Sequence, residues 1–159
     1  MKLVLDDKYK QILEILQQDC TQTVKEIALK IDLSFTATYE RIKNLEEAGV
    51  IKKYVAITDR EKLGLSLAAY CNINLKEQSK AAILDFEKTV SEIPEIVEMN
   101  SVSGAYDYML KIVAPDIRNY NDFVINILSN IPNMGQYHSS IVLKEVKNET
   151  AFKIPKQES

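Results

Sequence analysis

Apolar side chains in the first third of the chain recur every three to four positions, which predicts three short amphipathic helices. The three stripes comprise, in order, Leu5, Tyr9, Ile12 and Leu16; Val24, Ile27, Ala28 and Ile31; and Thr38, Ile42 and Leu45. Residues 32–34 form a short turn between the second and third helices. Two short helices joined by such a turn are typical of a helix-turn-helix.

The predicted helices begin at residues whose side chains can accept hydrogen bonds from free backbone N–H groups. Asp6 and Asp7 precede the first helix, where negative charge also favours a helix N-terminus. Thr23 with Glu26 three residues later forms a capping box for the second helix. Ser34 is placed to cap the third helix. These local signals strengthen the prediction of three helices.

The third helix is predicted to end before Gly49, because glycine suits the left-handed position that follows a helix. Residues 50–57 then alternate loosely between apolar and polar, which predicts a strand and completes a winged helix-turn-helix. The alternative is a small three-helix bundle with a solvated charged face. Glu40, Glu46 and Glu47 support that alternative, because acidic side chains disfavour phosphate.

The face of the third helix opposite its apolar stripe carries the candidate DNA contacts. Its first turn and outer face hold Ser34, Phe35, Thr36, Tyr39 and Lys43. Side chains in these positions can meet base edges if the helix enters a major groove. The cations that could hold phosphates are Arg41, Lys43, Lys52 and Lys53.

The hydrophobic pattern changes after residue 66, where strand-like runs and helical stripes follow one another. Strands are predicted over residues 67–75, 96–103, 108–113 and 136–146. Helical spacing links Ile83, Phe86 and Val90, and then Tyr120, Phe123, Val124, Ile127, Leu128 and Ile131. The order β-α-β-β-α-β is that of a ferredoxin-like fold, so an α+β protein is expected.

These patterns predict four segments along the chain. They are a winged helix-turn-helix domain over 1–57, a polar linker over 58–66, a ferredoxin-like domain over 67–152 and a tail over 153–159. Two helices cover only one face of a four-stranded sheet, which leaves Tyr70 and Asn72 on the open face. An uncovered, half-apolar sheet face of this kind usually packs against another protein surface. We therefore expect a homo-oligomer with a two-fold axis.

Composition limits the classes of function. Hydrophobic residues make up 46% of the 159 and charged residues 27%, which is ordinary for a globular protein. No apolar run approaches the roughly 18 residues of a membrane helix, and the N-terminus does not resemble a signal peptide. Cys20 and Cys71 give neither a metal-ligand spacing nor a disulfide framework. A cytoplasmic protein without a metal or cofactor is therefore expected.

The charge balance argues against strong DNA binding by a single copy. The net charge is −3, and residues 1–60 hold ten basic and ten acidic side chains. Because DNA affinity depends on neutralising phosphates, a neutral domain should bind weakly on its own. Dimerisation or higher assembly would multiply the contacts.

The chain resembles the Lrp/AsnC family, the feast/famine regulators, over about residues 5–154. The strings that carry the resemblance are 33–34 (LS), 41–46 (RIKNLE), 49–51 (GVI), 102–108 (VSGAYDY) and 141–146 (IVLKEV). The resemblance implies a bacterial or archaeal transcription regulator and not an enzyme. Its N-terminal domain would bind DNA, and its RAM-type C-terminal domain would form dimers that commonly assemble into octamers. Amino acids bind between dimers in this family and change assembly or DNA affinity.

The turn over residues 104–107 is the effector-binding motif that the resemblance implies. Asp107 could pair the ammonium of an amino acid, and backbone N–H groups around Gly104 could take its carboxylate. Tyr106 could wall the pocket. The alternative is a tight turn with Gly104 at positive φ and Asp107 bonded to its own backbone.

The last predicted strand departs from the family pattern. Relatives usually have two threonines that reach the pocket, whereas this chain has Tyr137 and Ser139, followed by Ser140. Tyr137 would either narrow the pocket or turn outward. A DNA-organising protein of the same architecture, with no amino-acid effector, is therefore the alternative function.

Phe35 is a second departure, since relatives often have proline at this position. Its ring could contact a thymine methyl group or pack on the second helix. By resemblance, the DNA contacts are Ser34, Thr36, Tyr39 and Lys43, while Arg41 has either a phosphate or a structural role. A dimer would present two third helices about 34 Å apart, so the double-stranded operator should be roughly palindromic.

Overall fold

The computed structural model describes residues 3–155 and divides them into two compact units. Residues 3–57 and 147–155 form the first unit, and residues 58–146 form the second. This division differs from the predicted boundaries, which made 58–66 a separate linker and placed 147–152 in the second domain. The ends of the predicted first domain and tail, residues 1–2 and 156–159, lie outside the described residues.

The first unit contains three helices, α1 (Asp7–Gln18), α2 (Val24–Lys30) and α3 (Phe35–Glu47). The predicted caps are confirmed. Asp6 accepts a hydrogen bond from the Tyr9 N–H, Thr23 and Glu26 form a complete capping box, and Ser34 accepts from the Ala37 N–H. Each cap satisfies N–H groups that the helix leaves without partners, which fixes where the chain turns into the helix.

The predicted apolar stripes pack against one another in the first unit. Its core consists of Tyr9, Ile12, Ile27, Ile31, Ile42 and Leu45. Thr38 is buried with them, and its hydroxyl donates to the Ser34 carbonyl at 3.0 Å, so no polar atom of this side chain is left unsatisfied. Burial of this stripe turns the opposite face of α3 outward.

The end of α3 is set by Gly49, whose φ of 68° lies in the left-handed region. Gly49 N–H donates to Glu46, and Val50 N–H donates to Leu45, both at 2.9 Å. The strand predicted over residues 50–57 is not found, because no described strand lies beside this segment to complete a ladder. The Tyr54 hydroxyl instead donates to the Glu46 carboxylate at 2.8 Å.

The second unit has the predicted β-α-β-β-α-β order. Its elements are β1 (Leu67–Leu75), α4 (Lys80–Ser91), β2 (Ile96–Ser101), β3 (Tyr108–Ala114), α5 (Ile117–Asn126) and β4 (Met134–Ile141), with a 3₁₀ turn at Leu128–Asn130. The sheet is antiparallel with strand order β2-β3-β1-β4. This is the ferredoxin-like arrangement, so the α+β fold class is confirmed.

One face of the sheet forms the core of the second unit, and Ala69, Cys71 and Ile73 of β1 are fully buried on that face. The other face carries Tyr70 and Asn72, as predicted, and both are half-buried. Lys111 lies directly opposite Tyr70 in the register, with its ammonium 6.0 Å from the ring centre.

The last strand ends earlier than predicted, at Ile141 rather than at residue 146. β4 runs antiparallel to β1, and Ile141 lies opposite Ala69. Val142 N–H still donates to the Ala68 carbonyl, but β1 begins at Leu67, so the ladder has no further partner residues.

Candidate DNA-reading helix and effector site

Most of the predicted DNA contacts lie on the outward face of α3. Phe35, Thr36, Tyr39 and Lys43 are exposed, and Ser34 is exposed at the N-terminus of the helix. The Ser34 oxygen already caps the helix at 3.2 Å from the Ala37 nitrogen. Lys43 forms an exposed ion pair with Glu47 at 3.6 Å, which contributes little to stability and is readily exchanged for a phosphate.

Phe35 and Tyr39 form a stacked pair one helical turn apart. Their ring centres are 6.4 Å apart and their planes differ by 7°. Phe35 is 57% exposed and Tyr39 is 49% exposed, and neither ring belongs to the core of the unit. More than half of the Phe35 ring is therefore available on the surface, where a base edge could contact it.

Arg41 differs from the other predicted contacts because its guanidinium is engaged within the unit. Its Nη2 lies 3.0 Å from Oδ2 of Asp6, and the guanidinium carbon lies 5.0 Å from the centre of the Tyr9 ring. These contacts join α3 to the start of α1. They favour the structural role for Arg41 over a contact with phosphate. Lys52 is exposed and forms no ion pair with any residue between 3 and 155.

The turn between β2 and β3 is held against the end of β1. Asp107 Oδ2 accepts from the Leu75 N–H at 2.7 Å, and the Asp107 N–H donates to the Ile73 carbonyl at 2.9 Å. The Asn74 side-chain amide donates to the Ala105 carbonyl at 2.8 Å. Gly104 has φ of 118°, which a residue with a Cβ rarely adopts. The expected positive φ is thus confirmed, but the carboxylate bonds to a neighbouring strand and not to its own turn.

The same turn leaves several polar groups available to a ligand. Within the described part of the chain, the backbone N–H groups of residues 103–106 donate to no other group. The second carboxylate oxygen of Asp107, Oδ1, likewise accepts no hydrogen bond there. Within the turn, Tyr106 is half-buried and Gly104 is exposed. The turn therefore presents N–H donors and a carboxylate oxygen within five residues of one another.

The three β4 residues of the predicted effector set do not share one face of the sheet. Tyr137 lies opposite Ile73 and Ser139 opposite Cys71, so both point to the helix-covered face. Ser140 lies opposite Tyr70 and points to the open face. The structure thus separates Ser140 from the other two. Successive side chains of a strand point to opposite faces of the sheet, so the sequence alone could have shown that Ser139 and Ser140 do not both face one site.

A chain of hydroxyl and thiol groups links α5 to the sheet. Tyr120 donates to the Ser139 Oγ at 2.6 Å, and Ser139 Oγ lies 3.7 Å from the Cys71 Sγ. Burial raises the pKa of the Cys71 thiol and the pKa of the Tyr120 hydroxyl above their ordinary values. Both groups therefore stay protonated at neutral pH and act as hydrogen-bonding groups.

A cavity of about 660 Å³ lies between α5 and the outer edge of β4. It is lined by Ile117, Arg118, Tyr120, Asn121, Asp122, Val124, Ser139 and Ile141. Its volume is typical of small-molecule sites, and Ser139 is the one predicted effector residue among its lining residues. The turn at residues 104–107 does not line it. The sequence pattern predicted only a packing role for Tyr120. A buried tyrosine, however, usually needs a hydrogen-bond partner for its hydroxyl, and this could have pointed to a polar role.

Residues 3–155 contain no cluster of three or more side chains that could hold a metal ion. No helix formed by these residues is both long enough and apolar enough to cross a lipid bilayer.

Comparison with protein families matches both units. Residues 5–52 match the family of winged helix-turn-helix DNA-binding domains, and residues 68–152 match the Lrp/AsnC ligand binding domain. The chain belongs to the Lrp/AsnC family. It is a DNA-binding transcriptional regulator with a ligand-binding domain, and this family is not enzymatic.

Individual Lrp/AsnC relatives match along almost the whole chain. The transcriptional regulator AzlB of Bacillus subtilis is 37% identical over 154 residues, covering 97% of this chain and 98% of AzlB. The DNA-binding transcriptional activator DecR of Escherichia coli is 30% identical, covering 95% and 99%. A Neisseria meningitidis transcriptional regulator in complex with L-Met has a TM-score of 0.89 and 30% identity, covering 94% of this chain and 97% of the other.

Proposed function

We propose that this Lrp/AsnC regulator binds a free amino acid in its C-terminal domain and that binding changes its DNA affinity or assembly. The observation that supports this proposal is the pair of complementary groups on the turn at residues 103–107. Its unpaired N–H groups suit a carboxylate, and the free oxygen of Asp107 suits an ammonium. The relative in complex with L-Met favours the same class of ligand.

We assign the DNA contacts to the outward face of α3, with Ser34, Phe35, Thr36, Tyr39 and Lys43, and to Lys52. A homodimer formed through the open sheet face, around Tyr70 and Asn72, would supply two such helices and compensate for the neutral charge of one domain. Assembly of dimers into an octamer follows from the family resemblance. The double-stranded operator is then roughly palindromic.

The test begins with melting curves of the purified protein against each of the twenty amino acids. A ligand that binds only the folded state raises the melting temperature by an amount set by its concentration relative to Kd. The active amino acid is then titrated into the protein by calorimetry, and sedimentation is compared with and without it. DNA affinity is measured in parallel at fixed salt concentration.

Asp107→Asn is the decisive variant, because the amide oxygen can still accept from the Leu75 N–H while the charge is lost. Loss of a charge-assisted bond to the ammonium should weaken amino-acid binding about tenfold or more. Asp85→Asn, an exposed site on α4, is the matched control and should bind normally. Unchanged affinity in Asp107→Asn would remove Asp107 from the site.

A DNA-organising role without an effector is the second candidate. Tyr137 favours it, because a large ring that is 41% exposed stands where the family resemblance implies a threonine. In that case none of the twenty amino acids alters melting, assembly or DNA affinity, although DNA binding persists.

A further inference from the structure

The stacked pair Phe35–Tyr39 is the most apolar feature on the outward face of α3. Two rings that are about half exposed lie parallel, one turn apart, at the N-terminal end of the helix. Neither ring is one of the buried core residues of the unit. Stacked at the exposed start of α3, the two rings form a small apolar surface that a binding partner can cover. The charged and polar neighbours on this face, Thr36, Glu40 and Lys43, leave the rings as its single apolar element.

The position of the pair determines which partner it fits. Phe35 is the first residue of α3, and the N-terminal residues of a recognition helix are those that reach base edges. Phenylalanine has no hydrogen-bonding group, so it cannot read the donors and acceptors of a base. Thymine presents the one apolar group of the major-groove edge, its C5 methyl. An aromatic ring can therefore select thymine by contact with this methyl group.

We propose that Phe35, held in place by its stack on Tyr39, determines specificity by selecting thymine at a defined position in each half-site. The proposal requires that α3 enters the major groove, and it does not depend on the amino-acid response. The stack on Tyr39 reduces the orientations open to the Phe35 ring, which favours contact with one methyl group. Tyr39 is thereby a positioning residue for Phe35, with a hydroxyl free to contact DNA in addition.

The test uses the full-length protein and duplexes selected by it from a random library. Each thymine of the selected duplex is replaced in turn by deoxyuridine, which removes the methyl group and leaves base pairing unchanged. Replacement at the contacted position should weaken binding about fourfold for each methyl group lost. With Phe35→Ala, the thymine and deoxyuridine duplexes should bind equally.

Two further variants separate the methyl contact from other effects. Phe35→Leu keeps an apolar side chain and should retain part of the methyl dependence, whereas Tyr39→Ala removes the stack and should reduce it. Phe152→Ala is the matched control, because Phe152 is an exposed phenylalanine of the same unit that lies outside α3. It should keep the full methyl dependence. The salt dependence of binding should be the same in Phe35→Ala as in the wild type, because no phosphate contact is lost.

The proposal is overturned if every deoxyuridine duplex binds the wild type as tightly as its thymine parent. It is also overturned if Phe35→Ala retains the methyl dependence. A third contrary result is that Phe35→Ala changes self-association, measured by sedimentation, and leaves DNA binding intact. The ring pair would then be a protein contact surface. None of these results bears on whether an amino acid binds the second unit.

Discussion

The proposed reading helix and the proposed effector site of this regulator are built in different ways. The reading helix takes its outward face from one continuous run, residues 34–47, capped at both ends. The candidate effector site combines the end of β1 with the turn at residues 103–107, which are distant in sequence. Helical spacing sets the first surface, whereas strand register sets the second.

This difference has a consequence for how each site responds to substitution. Except for Ser34, which caps the helix, an outward side chain of α3 can be replaced without disturbing the capping bonds or the core. Its effect on DNA binding can therefore be measured directly. At the effector turn, Asp107 also bonds to Leu75 of another strand, and Asn74 holds Ala105. Substitutions there that remove the accepting oxygen, such as Asp107→Ala, combine loss of a ligand contact with loss of a structural one, whereas Asp107→Asn keeps the structural acceptor.

Leu45→Ala should have the largest effect and should separate the two regions. Leu45 is fully buried in the core of the first unit. The cavity left by the substitution should lower the free energy of unfolding of that unit by about 2–5 kcal/mol. Hydrogen exchange should accelerate in α1, α2 and α3 but not in β1 or β3, and DNA binding should weaken as the unit opens.

Leu110→Ala is the matched variant, since Leu110 is also fully buried, on β3 of the second unit. In Leu110→Ala, hydrogen exchange should accelerate in β1 and β3 but not in α1, α2 or α3. If either variant accelerates exchange equally in both units, the two units unfold as one and their stabilities are not independent.

The features that sequence reasoning located correctly are those with local causes. The caps at Asp6, Thr23 and Ser34 and the helix end at Gly49 each depend on residues within a few positions of one another. The sheet order also follows from element order, because few topologies connect β-α-β-β-α-β without crossing.

The features that sequence reasoning missed depend on distant partners. The end of β4 is set by where β1 begins, and the separation of Ser140 from Ser139 follows from their partners in the register. Arg41 pairs with Asp6, 35 positions away, so helical spacing alone left its role open. Asp116, which caps α5, was also missed, since its two N–H partners became evident only with the helix boundary.

Substitutions of Ser34 can separate its capping role from a role in contacting DNA. The expected change in stability is smaller than that for Leu45→Ala. Ser34→Ala removes the cap of α3 and should cost about 1 kcal/mol of stability. Ser34→Asp keeps a capping oxygen and suits the positive end of the helix, so stability should be retained. If Ser34 also lies against DNA, the added carboxylate should repel phosphate and weaken binding in Ser34→Asp. Melting curves and DNA titrations of both variants distinguish these effects, and normal DNA affinity in Ser34→Asp would exclude Ser34 as a contact.

The smallest expected effect concerns the α5 cap in the second unit. Hydrogen bonds from the Asn119 and Arg118 backbone hold the pKa of Asp116 below its ordinary value of 3.8. A carboxyl group with a lowered pKa in the folded state stabilises the fold above its unfolded pKa, and this contribution is lost as the pH falls through the folded pKa. Melting temperature should therefore fall more steeply below about pH 4 in the wild type than in Asp116→Asn, which keeps an accepting oxygen but does not titrate. Because Asp116 is exposed, solvent screens the effect and the difference should be small. Equal slopes for the two proteins would mean that the carboxylate contributes as a hydrogen-bond acceptor and not through its charge.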